Sequence, residues 1–291
     1  MSRIDSRAVA GSIVEEIWAE DIWAGDAPGP QLAWLGQAGF AIRWAGVNLL
    51  IDPYLSDHLA EKYAGTRFPH RRLMPPPLAI DRIARLDYVI CTHRHSDHMD
   101  PPTLRRLADR QPDLRFVLPE ALFEHAIETI GLPAQRLIGM DAGRRLQLGA
   151  HLYLDGIAAA HESLDTDDQG RHRFLGYALS SGDQCIYHSG DCVPYEGLAD
   201  RVRRHAPQLA LLPVNGRSPY LQQAGVPGNF HLDEAITLCM EAGIPSLMAH
   251  HFGMFAFNTL APEQIDAAAE RDGAPPELIR PHTDRVYCLI A

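Results

Sequence analysis

The sequence predicts an α/β fold: a four-layer αββα sandwich in which two mixed β-sheets face each other and helices cover both outer surfaces. Three observations point to it. Apolar strand-like runs are followed by helical periodicity, and this order occurs twice along the chain. With 291 residues, 46 % of them hydrophobic and 22 % charged, the chain is long and apolar enough to bury a substantial core. Several of the apolar runs end on histidine or aspartate, which puts polar chemistry at strand ends.

The elements follow in order. Ile13, Val14, Ile17, Trp18, Ile22 and Trp23 have helical spacing, so residues 1–28 are expected to form an N-terminal helical extension ahead of one domain over 29–291. Short apolar runs over 32–35, 40–44 and 47–51, separated by Gly36, Gly39 and Gly46, read as a β-meander. A Pro-rich loop, "GTRFPHRRLMPPP", precedes a helix-like "LAIDRIARL". The short strand "DYVICT" then runs into "HRHSDHMD". Helices are expected over 102–109 and 119–130, with the strand "LRFVL" between them and Gly131 and Pro133 as the stop signal. Residues 145–187 are strand-rich. A second alternation follows: a helix over 195–204, strand "LALLPV", helix "DEAITLCMEAG", strand "SLMAH", a helix over 262–271 and a last strand "RVYCLIA".

Composition excludes some classes. The net charge of −11 repels phosphate backbones, so no nucleic-acid partner is expected. No apolar run reaches the roughly 18 residues of a membrane span, and no secretory leader is expected. The five cysteines are odd in number and none are paired as CxxC, which argues for reduced thiols and a cytoplasmic protein.

The stretch "THRHSDH" carries the chemistry. Residues two apart on a helix diverge, so His93 and His95 belong to a loop at a strand's carboxyl end. Imidazole and carboxylate are ligands for zinc, manganese or iron. Three imidazoles and Asp97 on one short loop strain around a single tetrahedral ion and divide more easily between two. His93 and His95 would serve one ion, Asp97 and His98 the other. Further ligands stand at the ends of other strand-like runs: His161 after "DGIAAA", Asp191 after "CIYHSG" and His251 after "SLMAH".

These motifs resemble the metal-binding signature of the metallo-β-lactamase-fold hydrolases, and the similarity runs from Trp34 to Leu289. "WLGQAGFAI", "LIDPYLSD", "YHSGD", "LLPVNGR" and "HFGMFAFN" are similar to the L-ascorbate-6-phosphate lactonase-like branch. The resemblance implies two divalent ions, zinc or manganese with iron as a third choice. His93, His95 and His161 would hold the first; Asp97, His98 and His251 the second; Asp191 would bridge them. His251 is preferred to His250 because Phe252–Gly253 follows it. Asp97 and Asp191 are thereby the catalytic carboxylates. They leave the two cations net positive, which suits a metal-bound hydroxide attacking an ester. Asp52 is expected behind a ligand histidine, and His188 is expected to pack beside the site without ligating. Cys192 reads as a buried small hydrophobe.

"NGR" opens onto the same face. Asn215 and Arg217 are candidate substrate-binding residues, Arg217 through a bidentate pair with a phosphate or carboxylate; the other reading is a loop held by its own contacts. Arg71 and Arg72 lie on a loop that could cover the site, and Asn229 or His231 is the candidate cap of the following helix. The leading functional expectation is a hydrolase of a small anionic lactone or ester, with a homo-oligomer possible. The alternatives are a phosphodiesterase, either a nuclease or an enzyme like the phospholipase D that acts on N-acyl phosphatidylethanolamine, and a non-catalytic metal or metabolite sensor.

Overall fold

The runs between the early glycines pair as an antiparallel meander and seed the first of two sheets. The structure, a computed structural model, describes residues 3–8, 29–83, 85–270 and 276–290. Its strands are β1 (Arg3–Ala8), β2 (Gln31–Gly36), β3 (Gly39–Trp44), β4 (Val47–Ile51), β5 (Tyr88–Ile90), β6 (Arg115–Pro119), β7 (Leu137–Met140), β8 (Arg145–Gln147), β9 (Tyr153–Ala158), β10 (Ala160–His161), β11 (Ser163–Leu164), β12 (Leu175–Ser181), β13 (Gln184–His188), β14 (Leu209–Pro213), β15 (Ser246–His250), β16 (Glu277–Ile279) and β17 (Arg285–Ile290). The helices are α1 (His58–Lys62), α2 (Pro101–Arg110), α3 (Leu198–Arg203), α4 (Pro219–Gln223), α5 (Leu232–Ala242) and α6 (Pro262–Ala269).

One sheet has the order β1-β17-β2-β3-β4-β5-β6-β7 and the other β16-β15-β14-β13-β12-β9-β8. Each has an antiparallel part and a parallel part. In the first sheet β4 to β7 are parallel, with Ile51 beside Ile90 and Ile90 beside Val117. In the second, β13 to β16 are parallel, with Pro213 beside His250. Parallel strands need crossovers, and the helices that supply them cover the outer faces.

The inward faces interlock in one apolar layer that includes Phe40, Ile42, Leu154, Tyr177 and Leu211. A second cluster lies under α2, where Leu104, Leu107 and Ala108 turn one helical stripe onto the first sheet. Each buried leucine there contributes roughly 1.5–3 kcal/mol. Asp100 occupies the N-cap of α2, and its carboxylate accepts from the Thr103 and Ser56 hydroxyls.

The expected α/β sandwich is what the chain forms, with some local differences. The helix expected over "LAIDRIARL" shrinks to one 3₁₀ turn, Ile80–Arg82. Its buried residues Leu78, Ile83 and Leu86 are spaced five and three apart, which no single helical stripe satisfies. The helix expected over 119–130 divides into a 3₁₀ turn (Glu120–Leu122) and a π-helical segment (His125–Ile130). Leu122, Ala126 and Ile130 are buried at intervals of four, wider than the α-helical 3.6. The helical extension expected over 1–28 is corrected at Arg3–Ala8, a strand whose six residues pair with β17. The helical periodicity over 13–23 lies outside the described residues.

Candidate metal centre

The carboxyl ends of both parallel halves open on the same edge of the sandwich, and the candidate ligands collect there. After β4 comes Asp52. After β5 come Thr92, His93, His95, Asp97 and His98. β10 ends on His161, the turn after β13 carries Asp191, and β15 delivers His251. All seven expected ligands are brought together, in two groups. His93, His95, His161 and Asp191 form one; Asp97, His98 and His251 form the other; within each group the ligand atoms lie within 4.8 Å of one another. Asp191 faces both. Its Oδ1 is 3.3 Å from His98 Nε2 and 3.3 Å from His251 Nε2, while its Oδ2 is 3.7 Å from His161 Nε2.

Burial and hydrogen bonding show that these groups fit cations. His98 Nε2, both ring nitrogens of His161 and Asp191 Oδ1 are buried without a hydrogen-bond partner. A folded chain rarely leaves such atoms orphaned unless something else occupies the site. The nitrogen and oxygen donor set suits zinc, manganese or iron.

The electrostatics divide the two groups. Burial pushes the His93 imidazole well below its ordinary pKa, helped by His98 and His95. Burial also lowers His95 and brings His161 to about 4. These rings are neutral near pH 7 and so can offer a lone pair to a cation; His93 Nε2 lies 3.0 Å from His95 Nδ1. In the other group burial is overcome. The carboxylates of Asp191, Asp52 and Asp97 raise His98 well above its ordinary value, and Asp191 and Asp97 raise His251 to about 9. Burial works against ionisation of Asp97 and Asp191, but His98 and His251 hold both well below the usual carboxylate range.

Asp52 orients two of the histidines. Its Oδ1 accepts from Thr92 N at 2.8 Å, and its Oδ2 accepts from Thr92 Oγ1 at 2.6 Å and from His98 Nδ1 at 2.7 Å. Because the Thr92 hydroxyl spends its proton on Asp52, it accepts from His93 Nδ1 at 3.0 Å. Both imidazoles are thereby fixed with a proton on Nδ1 and with Nε2 turned to the centre, where His93 offers a lone pair and His98 offers one once its second proton has left. Asp52 is fully buried and takes φ 45°, a left-handed conformation that costs a non-glycine residue about 1–3 kcal/mol.

Gln37 and His251 share that conformation, with φ 51° and 61°. Gln37 was not among the expected site residues. Its carbonyl accepts from His251 N at 2.9 Å, and its Nε2 donates to Asp97 Oδ2 at 2.9 Å and lies 3.1 Å from His251 Nε2. The available signal was a lone amide in the tight "LGQAG" turn. His250 points the other way, as neighbours on a strand do, into the core beside Phe40 and His188. His188 fastens the neighbouring turns: Gly190 N donates to its Nδ1, and its Nε2 donates to Ala38 O. Cys192 is fully buried.

Of the two readings of Asn215 and Arg217, the contacts match a loop held by its own hydrogen bonds. Arg217 donates to both carboxylate oxygens of Glu234 at 2.6 Å and to Asn229 O at 3.0 Å. Asn215 exchanges amide hydrogen bonds with Asn229 and Asn258. Neither lines the cavity above the ligands. Arg72 is also engaged, over the Tyr54 ring and on the Tyr54 and Ser56 carbonyls. His231, at the N-cap of α5, donates its backbone N–H to Glu234.

The cavity measures about 920 Å³, and His95, Asp97, His161, Asp191 and His251 line it. Its walls come from α1, the loop that follows it, the π-helical turn and the segment after α4, and include Tyr63, Phe68, Phe255 and Val226. The loop is pinned by His70, whose Nδ1 lies 2.8 Å from Phe68 O and whose ring packs on Tyr63 and Phe255.

Comparison with known proteins agrees with this architecture. The family described as "Beta-lactamase superfamily domain" matches residues 47–252, more than half of the chain. A metal-dependent hydrolase of Caldivirga maquilingensis is 27 % identical over 188 residues, covering 64 % of this chain and 70 % of that protein. The mitochondrial N-acyl-phosphatidylethanolamine-hydrolyzing phospholipase D of Saccharomyces cerevisiae is 23 % identical over 269 residues, covering 88 % of this chain and 53 % of the yeast protein. Among solved structures, the isothiocyanate hydrolase from Delia radicum gut bacteria superposes with a TM-score of 0.70 at 19 % identity, covering 88 % of this chain and 98 % of that one, a likeness of fold.

Proposed function

The chain belongs to the beta-lactamase superfamily and is a metal-dependent hydrolase of that superfamily, and from this premise we propose that it opens a lactone or related ester of a small anionic molecule at a two-ion centre. In this reading His93, His95 and His161 hold one divalent ion, Asp97, His98 and His251 hold a second, and Asp191 serves both. Zinc and manganese are the favoured ions. The observation that carries the reading is the pair of ligand groups with orphaned, buried donor atoms at the floor of a cavity.

Divalent ions supply Lewis acidity for the ester carbonyl and a water acidified toward neutrality. The chain supplies the rest. Asp97, oriented by Gln37 and kept ionised by His98 and His251, accepts a hydrogen bond from the attacking water at the edge of the cavity. Asp191 is more deeply buried and balances charge between the two groups. Tyr63, Phe68 and Phe255 exclude water from the apolar part of the substrate. The cytoplasm is the proposed compartment, on the strength of five free cysteines; no helix among the described residues is long and apolar enough to cross a membrane.

The test is a panel of lactones, carboxylic esters and phosphodiesters, assayed with the metal-loaded protein before and after chelation. Turnover of a lactone or ester that stops on chelation and returns with zinc or manganese is the expected result. A second reading, phosphodiester hydrolysis, is favoured by the similarity to the yeast phospholipase D and by the apolar cavity walls. Metal-dependent cleavage of N-acyl phosphatidylethanolamine with no action on lactones would establish it instead.

A further inference from the structure

The charges on the cavity are sorted against the composition of the chain. Acidic residues outnumber basic ones, 37 to 26. Yet Asp97 and Asp191, both in the ligand groups, are the only carboxylates on the cavity lining among the described residues, whereas Lys62, Arg67 and Arg94 all line it. Lys62 is the single lysine of the chain. Arg67 is engaged by the Tyr220 hydroxyl and ring. Lys62 and Arg94 have no ion-pair partner among the described residues, although Lys62 lies over the Tyr63 ring.

These two cations come from separate elements, α1 and the loop after β5, and a third element completes the cluster. The π-helical segment turns His125 and Thr129 onto the cavity. Its end is anchored by Arg105, which donates to Thr129 O at 2.7 Å and also to Ile130 O, and it stops at Gly131 with φ 82°. Single π-helical turns are uncommon and concentrate at functional positions. His125 is near enough to Arg94 and Lys62 that both add to the effect of burial in lowering its pKa. Two cations without ion-pair partners, facing one cavity beside an imidazole, are stabilised by an anion between them.

We propose that Lys62, Arg94 and His125 form an oxyanion subsite that binds a phosphate or carboxylate group of the substrate at a point remote from the bond that is broken. The proposal rests on the hydrolase reading above and adds the recognition element. A substrate that fits has two parts, an ester or lactone over the ligand groups and an oxyanion on this cluster.

The test uses the metal-loaded protein and three lactones with the same ring, bearing a phosphate, a carboxylate or a neutral hydroxymethyl group. The expected result is a preference for an anionic form, and a ratio of anionic to neutral kcat/KM that falls about tenfold in Lys62→Met and in Arg94→Met. The fall should lie mainly in KM, and the anion showing the larger fall is the one the subsite takes. An unchanged ratio in both variants overturns the proposal. If none of the three lactones is turned over, the lactonase reading fails separately. The subsite is then decided by calorimetric binding of inorganic phosphate to the metal-loaded protein: about tenfold weaker binding in either variant supports it, and equal binding refutes it.

Discussion

Replacing Asp52 by Asn should weaken both ions although Asp52 is not one of the seven candidate ligands. The carboxylate now accepts three hydrogen bonds, from Thr92 N, Thr92 Oγ1 and His98 Nδ1, all between 2.6 and 2.8 Å. An amide of the same shape has only one accepting atom. If its oxygen stays on Thr92 N, its amino group faces Thr92 Oγ1 and His98 Nδ1. His98 must then carry its proton on Nε2, where the lone pair is needed, and the freed Thr92 hydroxyl turns toward His93 and shifts that ring likewise. If the amide flips, two donors meet in a fully buried site at Thr92 N. Leaving one buried group unsatisfied costs about 1–3 kcal/mol, or roughly 10- to 100-fold in metal affinity. Competition against a chromophoric chelator measures that loss, with circular dichroism as the check on folding. A folded Asp52→Asn protein that binds both ions as tightly as the native chain would refute the orienting role.

Other outcomes follow from the same geometry. In the metal-free protein His98 and His251 are raised and hold protons at neutral pH, so a cation entering their group must displace them; its affinity should rise with pH up to about 9, while the His93, His95 and His161 group binds with little proton release. Titration calorimetry in buffers of different ionisation enthalpy reads the proton count, and identical release at both groups would contradict the division. A raised folded-state pKa contributes stability that is complete below the ordinary histidine value near 6.5 and is lost through about 9, so the metal-free melting temperature should fall across that window. His251→Ala should lose one of two ions; His250→Ala should keep both and cost about 2–4 kcal/mol in denaturant unfolding through the cavity it leaves, and a lost ion in the second variant would reverse the assignment. Arg217→Gln should cost about 1 kcal/mol of stability and leave KM alone, since its partner is Glu234; a large rise in KM would restore it to the substrate.

The fold was legible because its central strands are buried along their length and end abruptly. Leu209–Pro213 and Ser246–His250 are buried at every position, so each appears as an unbroken apolar run. The grouping of the candidate ligands was legible for the same reason: a histidine or aspartate just past such a run has few structural uses. The choice of His251 over His250 needed the following Phe252–Gly253, because strand alternation sends one ring to the core and the next to the edge. Arg217 stayed open between two readings because sequence shows a cation and not its partner; Glu234, 17 positions on, takes the guanidinium. Gln37 and Thr92 were missed because uncharged side chains in turns carry no metal signal, although each holds a ligand residue in place. Lys62 was invisible as part of a site: α1 is five residues long, and nothing local says that it borders the cavity.

The division of the ligands between sheets bears on how the centre comes into being. Asp52 and the His93–His98 loop belong to the first sheet, Asp191 and His251 to the second, and neither set alone makes either group. The contacts that join them are polar and short-ranged, such as His251 N on Gln37 O and His188 Nε2 on Ala38 O. They exist only when the apolar layer between the sheets has closed. Closing it also gathers four left-handed non-glycine residues at this edge, Gln37, Asp52, Glu162 and His251. Packing of Phe40, Tyr177 and Leu211 offsets that strain in the metal-free protein, and bound cations would add to it by favouring only the closed form. The same sandwich interface that gives the chain its core therefore sets the distance between the two ligand groups, with Asp191 spanning it.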